Sequence, residues 1–137
     1  MLSDYSDMEQ EIRDTPPIRV LPRGTEVKVR IIQVIPGEGD FGRYYRIRLD
    51  IPTEPAAPEI TKFINDVGDA KKSGDETNKQ KAFRTFDAFT KAFSIDISRP
   101  FDWETDLDGL EGWAILGVKK DDEYGDKNTI SKFVVGK

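Results

Sequence analysis

Glu26-Val27-Lys28-Val29-Arg30-Ile31-Ile32 and Arg43-Tyr44-Tyr45-Arg46-Ile47-Arg48-Leu49 are the two stretches that decide how this chain folds. In the first, Val27, Val29 and Ile31 alternate with Glu26, Lys28 and Arg30. In the second, Tyr45, Ile47, Leu49 and Ile51 alternate with Tyr44, Arg46 and Arg48. A period of two is that of a half-buried strand, one face in the core and one in water. Strand one is expected over Thr25 to Ile35 and strand two over Arg43 to Ile51. Pro36-Gly37-Glu38-Gly39-Asp40 is a dense turn signal between them.

Beyond strand two, Pro52, Pro55 and Pro58 forbid a regular ladder. Glu59 to Ile64 is the third strand expected. Ser73 and Glu76 have capping-box spacing, and Ala82, Phe86, Phe89 and Phe93, with Phe83 beside them, recur at helical spacing. One helix is expected from Asp75 to Phe93, its phenylalanines in the core. Asp108-Gly109 and Gly112 mark a turn, Trp113 to Lys119 reads as strand four, Asp121 to Lys127 as a polar hairpin loop and Asn128 to Val135 as strand five. The order is βββαββ, an all-β fold with one helix. A parallel α/β fold would need a helix between successive strands. The five-stranded Greek-key barrel of the OB-fold has five strands of this kind, with its helix between the third and fourth and the phenylalanine face plugging one end. Expected inside are Val27, Val29, Ile31, Tyr45, Ile47, Leu49, Phe86, Phe89, Phe93, Leu116 and Val134.

Residues 1–24 hold Pro16, Pro17 and Pro22 among acidic and polar residues and read as a flexible leader; residues 25–137 form the OB domain. The leader has no basic-then-apolar signal pattern, and no apolar run approaches the roughly 18 residues of a membrane span. The expectation is a cytoplasmic protein without a membrane partner. Neither cysteine nor histidine occurs in the 137 residues, which removes disulfides, zinc-thiolate sites and Ser-His or Cys-His nucleophile systems. No phosphate-binding glycine motif is present either. Asp121, Asp122, Glu123 and Asp126 lack calcium-loop spacing. Asp102, Glu104, Asp106 and Asp108, which a magnesium-dependent nuclease would need as a cluster, read as solvation of a loop. No catalytic residue, cofactor or metal is expected.

The net charge of −5 hides an uneven distribution. Residues 1–14 hold five acids against one base and residues 96–137 ten against six, whereas residues 15–64 hold eight bases against six acids. A local basic groove is what a phosphate backbone meets. Lys28, Arg30, Tyr44, Arg46 and Arg48 are expected on one outward face, with no acid among the five. Cations that track phosphates and aromatic faces that stack bases are how single strands are held. Phe63 alternates with Ile60, Lys62 and Ile64, so an outward Phe63 extends the stacking platform and an inward one joins the core. Phe41 and Tyr124 belong to the loops that flank an OB groove, and Arg43 opens strand two beside them. Trp113 is expected in the barrel-end core. Lys71, Lys72, Lys79, Lys81, Arg84 and Lys91 read first as a solvated helix face and, as the alternative, as an extension of a phosphate path.

Together with Lys91-Ala92-Phe93-Ser94-Ile95-Asp96, Gly112-Trp113-Ala114-Ile115-Leu116-Gly117-Val118 and Asp122-Glu123-Tyr124-Gly125-Asp126-Lys127-Asn128, the two opening stretches give the chain from Gly24 onward its likeness: it resembles phage single-stranded-DNA-binding proteins with OB folds. The resemblance implies a protein that shelters single-stranded DNA, without strong sequence preference, during phage replication or recombination in the cytoplasm of an infected bacterium. RNA is not distinguished from DNA at this level, and replication or recombination proteins are the implied protein partners. Many such proteins end in an acidic recruiting tail, whereas here Lys137 follows directly on strand five. That leaves a tail beyond Lys137 or recruitment through the acidic leader. The alternative class is an OB barrel whose same face binds a protein and no nucleic acid.

Overall fold

The structure is a computed structural model and describes residues 1–15, 18–40, 42–72, 75–122 and 125–136. Its elements are α1 (Glu9–Arg13), β1 (Glu26–Gly39), β2 (Gly42–Asp50), β3 (Ile60–Asn65), α2 (Val67–Lys72), α3 (Glu76–Ala92), β4 (Glu111–Asp121) and β5 (Gly125–Val134). The strands form one antiparallel sheet in the order β3-β2-β1-β4-β5. That is the strand order of an OB-like barrel with its helix between β3 and β4. The curled sheet brings β3 and β5 near one another, but no ladder joins them, so the barrel is open there. Among the described residues no helix is long and apolar enough to cross a membrane.

Period-two patterning builds the core as expected from β1 and β2: Val29, Ile31, Ile47 and Leu49 are fully buried and Val27 and Tyr45 nearly so. The ladder slips by one residue at Ile32, which returns Val34 to the inside and lets β1 run past Ile35 through the turn-like glycines to Gly39, opposite Gly42. A second slip falls on Ser131 in β5 and reverses the parity after it. The inward residue near the end of β5 is therefore Phe133, and Val134, expected inside, faces out opposite Trp113.

The helix α3 starts one residue later than read. Its N-cap is Asp75, whose carboxylate accepts from the Asn78 N–H at 3.2 Å, while Ser73 lies outside the described residues. Phe89 and Phe93 are buried and Phe86 packs half-buried against them, but Phe83 is 40% exposed, with the Lys79 ammonium 5.8 Å from its ring centre. The short α2, absent from the sequence reading, is started by Asp66, whose Oδ1 accepts from the N–H groups of Gly68 (2.8 Å) and Asp69 (3.1 Å). Trp103, also unread, inserts from the 93–110 connection between Tyr45 (centroids 3.9 Å apart) and Phe89 (6.0 Å), nearly parallel to both. Below it Leu107 is buried.

The leader is not all outside the fold. Leu21 is 2% exposed, and the buried Asn128 amide clamps it: the Leu21 N–H donates to Asn128 Oδ1 at 2.9 Å, and Asn128 Nδ2 donates to the Leu21 carbonyl at 2.9 Å. Arg19 N–H also pairs with the Ala56 carbonyl at 3.0 Å. By contrast α1 buries no residue. Removing residues 1–15 should therefore leave the urea-unfolding midpoint unchanged. Asn128→Ala, which orphans both backbone groups of Leu21, should cost about 1–3 kcal/mol, and Leu21→Ala about 2–5 kcal/mol. Equal midpoints for all three would show that the leader does not dock.

Candidate nucleic-acid interface

The pleat of β2 sends Tyr44, Arg46, Arg48 and Asp50 to the outer face. The ladders set them beside Gly37, Ile35, Gln33 and Arg30 of β1 and, for the first three, Asn65, Phe63 and Thr61 of β3. Lys28 lies farther along the same face, opposite Trp113 of β4. Lys28, Arg30, Tyr44, Arg46 and Arg48 thus share one side of the sheet, as alternation predicts. Phe63 joins them: it is 58% exposed, with Ile60 and Ile64 of the same strand buried on the other side.

The aromatic end of this face is built on a glycine. The Tyr44 ring lies across Gly37, where a Cβ would stand 2.5 Å from its Cζ. Lying flat, the half-buried ring presents itself to Phe63, with centroids 5.7 Å apart and planes at 66°. Such an edge-to-face pair follows the opposite partial charges of ring edge and ring face. Arg46 is exposed between Ile35 and Phe63 and makes no ion pair among the described residues.

Elsewhere on the face the cations are matched by acids that the sequence reading left out. Arg30 holds Asp50 in a fork, Nε to Oδ1 at 3.1 Å and Nη2 to Oδ2 at 2.6 Å. The Asp50 hydrogen bond and charge, then Glu111 and Asp108, hold the Arg30 guanidinium above its ordinary pKa. Arg48 is forked onto Glu59, Nε to Oε2 at 2.9 Å and Nη2 to Oε1 at 2.6 Å, and also donates to Gln33 Oε1. Lys28 stands 3.7 Å from Glu111 Oε2 and 5.8 Å from the Trp113 ring centre. Asp50 is the next outward residue after Arg48, so the alternation that found the β2 arginines also contains the counter-charge of Arg30 across the ladder.

One expected position falls elsewhere. Trp113 is not in the barrel-end core: it is half-buried on the outer face, and Gly112 takes the inward place against the Ala92 carbonyl, only 2.7 Å from where a Cβ would stand. Arg43 has the parity of Tyr45 and belongs to the rim behind the face. There the Tyr45 hydroxyl, and behind it Asp69 and Asp66, raise its guanidinium pKa. Tyr45, its own pKa raised chiefly by burial, donates to Asp66 Oδ2 at 3.2 Å. Phe41 and Tyr124 lie outside the described residues.

The string of acids before β4 forms a folded turn. Asp102 Oδ1 accepts from the N–H groups of Glu104 (2.9 Å) and Thr105 (3.1 Å), which lower its pKa, and Asp106 Oδ2 accepts from Asp102 N–H at 2.8 Å. These bonds set the approach of Trp103.

No protein-family model and no curated protein matches the chain.

Gly37→Ala tests the seat of the aromatic pair. The ring end that the new methyl meets is free to swing, so the cost should be that of a forced rotamer, about 0.5–1.5 kcal/mol. The ring-current shift that Tyr44 imposes on the Phe63 ring protons should disappear from the NMR spectrum. Unchanged shifts would mean that Tyr44 does not rest on Gly37.

Proposed function

We propose that the protein binds single-stranded DNA stoichiometrically on the outer face of β1, β2 and β3, with slight sequence preference, and shelters it during replication or recombination, as the phage proteins it resembles do. The observation that supports this most is the exposed Phe63 paired with the half-buried Tyr44 ring, with the uncommitted Arg46 beside them. Nothing in core packing calls for Phe63 to be exposed. Two aromatic surfaces at different angles accept unstacked bases, which all offer a π-face, and the adjacent guanidinium meets the phosphate between them. An open-sided groove and rings available only to unpaired bases favour single strands over duplex.

The ion pairs divide the cations by role. Arg46 gives its charge to a phosphate. Arg48 and Arg30 are neutralised by Glu59 and Asp50, and their forks fix the orientation of the face. Exposed pairs of this kind are worth about 0–1 kcal/mol, so a phosphate could displace a carboxylate only with little net gain.

Titrating oligo-dT into the protein at several salt concentrations separates these roles. Arg46→Ala should flatten the log–log salt dependence by about 0.7, the single-strand value per phosphate. Arg48→Ala should flatten it much less. Glu59→Gln, which frees Arg48, should steepen it by up to the same amount and tighten binding. Tyr44→Ala and Phe63→Ala should each weaken binding by about 1–3 kcal/mol with the slope unchanged. Equal affinity for duplex and single strand would defeat stacking as the mechanism.

A further inference from the structure

Between β3 and β5, where no ladder closes the barrel, α3 covers the gap incompletely. A groove of about 290 Å3 between β3 and α3 is walled by Phe63, Lys62, Lys81, Ala82 and Thr85 among others. A second, of about 200 Å3, continues toward β5 between Lys62, Thr85, Arg84, Ala88 and Lys132. Lys62 and Thr85 belong to both walls, so the two grooves adjoin, a channel in two parts that begins at Phe63, on the stacking face, and ends at β5.

The charges in this channel differ from those on the face. Among the described residues neither wall contains a carboxylate, and Lys62, Lys81, Arg84 and Lys132 make no ion pair. Other cations of α3 are matched within the helix, Lys79 with Glu76 at 3.7 Å and Lys91 with Asp87 at 2.9 Å, and line neither groove. Positions 78, 81, 82 and 85 form the stripe turned to β3, and Arg84 and Ala88 line the groove toward β5. Lys62 takes its place from β3, half-buried between Ile60 and Ile64, at a position whose parity points inward where the barrel is open.

We infer that this channel is a second phosphate-binding tract: a single strand stacked on Tyr44 and Phe63 passes over the β3 edge and runs along the α3 seam, its backbone met by Lys62, Lys81, Arg84 and Lys132. The inference rests on the proposed single-strand binding and adds to it a direction and a length. The competing explanation is protective, since lysines on unpaired edge strands discourage edge-to-edge pairing between molecules. It accounts for Lys62 and Lys132. It does not account for Lys81 and Arg84, which are on a helix, or for the absence of carboxylates from both walls.

The test uses the full chain and oligo-dT of about 4 and about 16 nucleotides, the two ends of the range that one OB fold covers. Lys81→Gln, Arg84→Gln and Lys132→Gln should each weaken the long oligomer about fivefold at 0.1 M salt, which is the counterion term for one phosphate, and flatten its salt slope by about 0.7. Each should leave the short oligomer unaffected. Phe63→Ala should weaken both lengths. If Phe63→Ala weakens both while the three seam variants match the parent on the long oligomer, the tract is refuted and the face binding stands. Self-association of Lys132→Gln in sedimentation, with DNA affinity unchanged, would likewise overturn the tract in favour of edge protection. If the parent binds neither oligomer, the single-strand reading fails and the tract with it.

Discussion

One strand serves two partners, and the molecule is arranged around that fact. Of the 14 residues of β1, Glu26 to Arg30 pair with β4 and Arg30 to Gly39 pair with β2. The handover occurs at Arg30, two residues before the slip at Ile32. A strand that changes partners must bend, and an unpaired residue is the usual way to bend it without losing the ladder on either side. That bend curls the sheet and puts Val29, Ile31 and Val34 on its concave side. It also turns Tyr44, Arg46 and Phe63 to the convex side. The curl brings β3 and β5 near one another without the register for a ladder, so the interior is sealed by aromatic side chains. Trp103 lies between Tyr45 and Phe89, and Phe133 meets Phe89 and Phe93 edge-on at 5.5 and 5.8 Å.

The parts of this that are legible in the sequence are those governed by local period. Alternation over Val27 to Ile31 and Tyr45 to Leu49 gives the inward residues of β1 and β2 because one set is apolar and the other charged. It fails in β4, where Trp113 and Ile115 stand against Ala114 and Leu116 and both sets are apolar. It fails again in β5, where Ser131 shifts the parity and exchanges Val134 for Phe133. Such slips are set by the partner strand and leave no local mark. Leu21 and Trp103 were missed for a different reason: each is held by residues far along the chain, Asn128 in one case and Tyr45 with Phe89 in the other. The start of α2 was readable, since Asp66 precedes Gly68 and Asp69 at capping distance.

At the candidate interface, position was legible and charge state was not. Lys28, Arg30, Arg46 and Arg48 fall on the expected face, but only the three-dimensional register shows that Asp50, Glu59 and Glu111 reach three of them. Glu59 precedes β3 and meets Arg48 because Thr61 is that arginine's ladder partner. Arg43, one residue from Tyr44 in the strand, lies on the opposite face and at the rim.

The uneven pairing gives the face an electrostatic direction. Toward β4, Arg30 is surrounded by Asp50, Glu111 and Asp108, and Lys28 is near Glu111. Toward β3, the cations are Arg46 and then those of the α3 seam, with no carboxylate in the walls of the channel. At physiological salt, charges act over about 8 Å, so a polyanion at Phe63 responds to this local gradient and little to the net charge of −5. The acids of residues 1–14 belong to a segment whose helix buries nothing against the barrel. On the proposed reading a bound strand is repelled at the β4 side and drawn over the β3 edge. The open seam, a consequence of how β1 divides its pairing, then becomes the direction in which the binding surface extends.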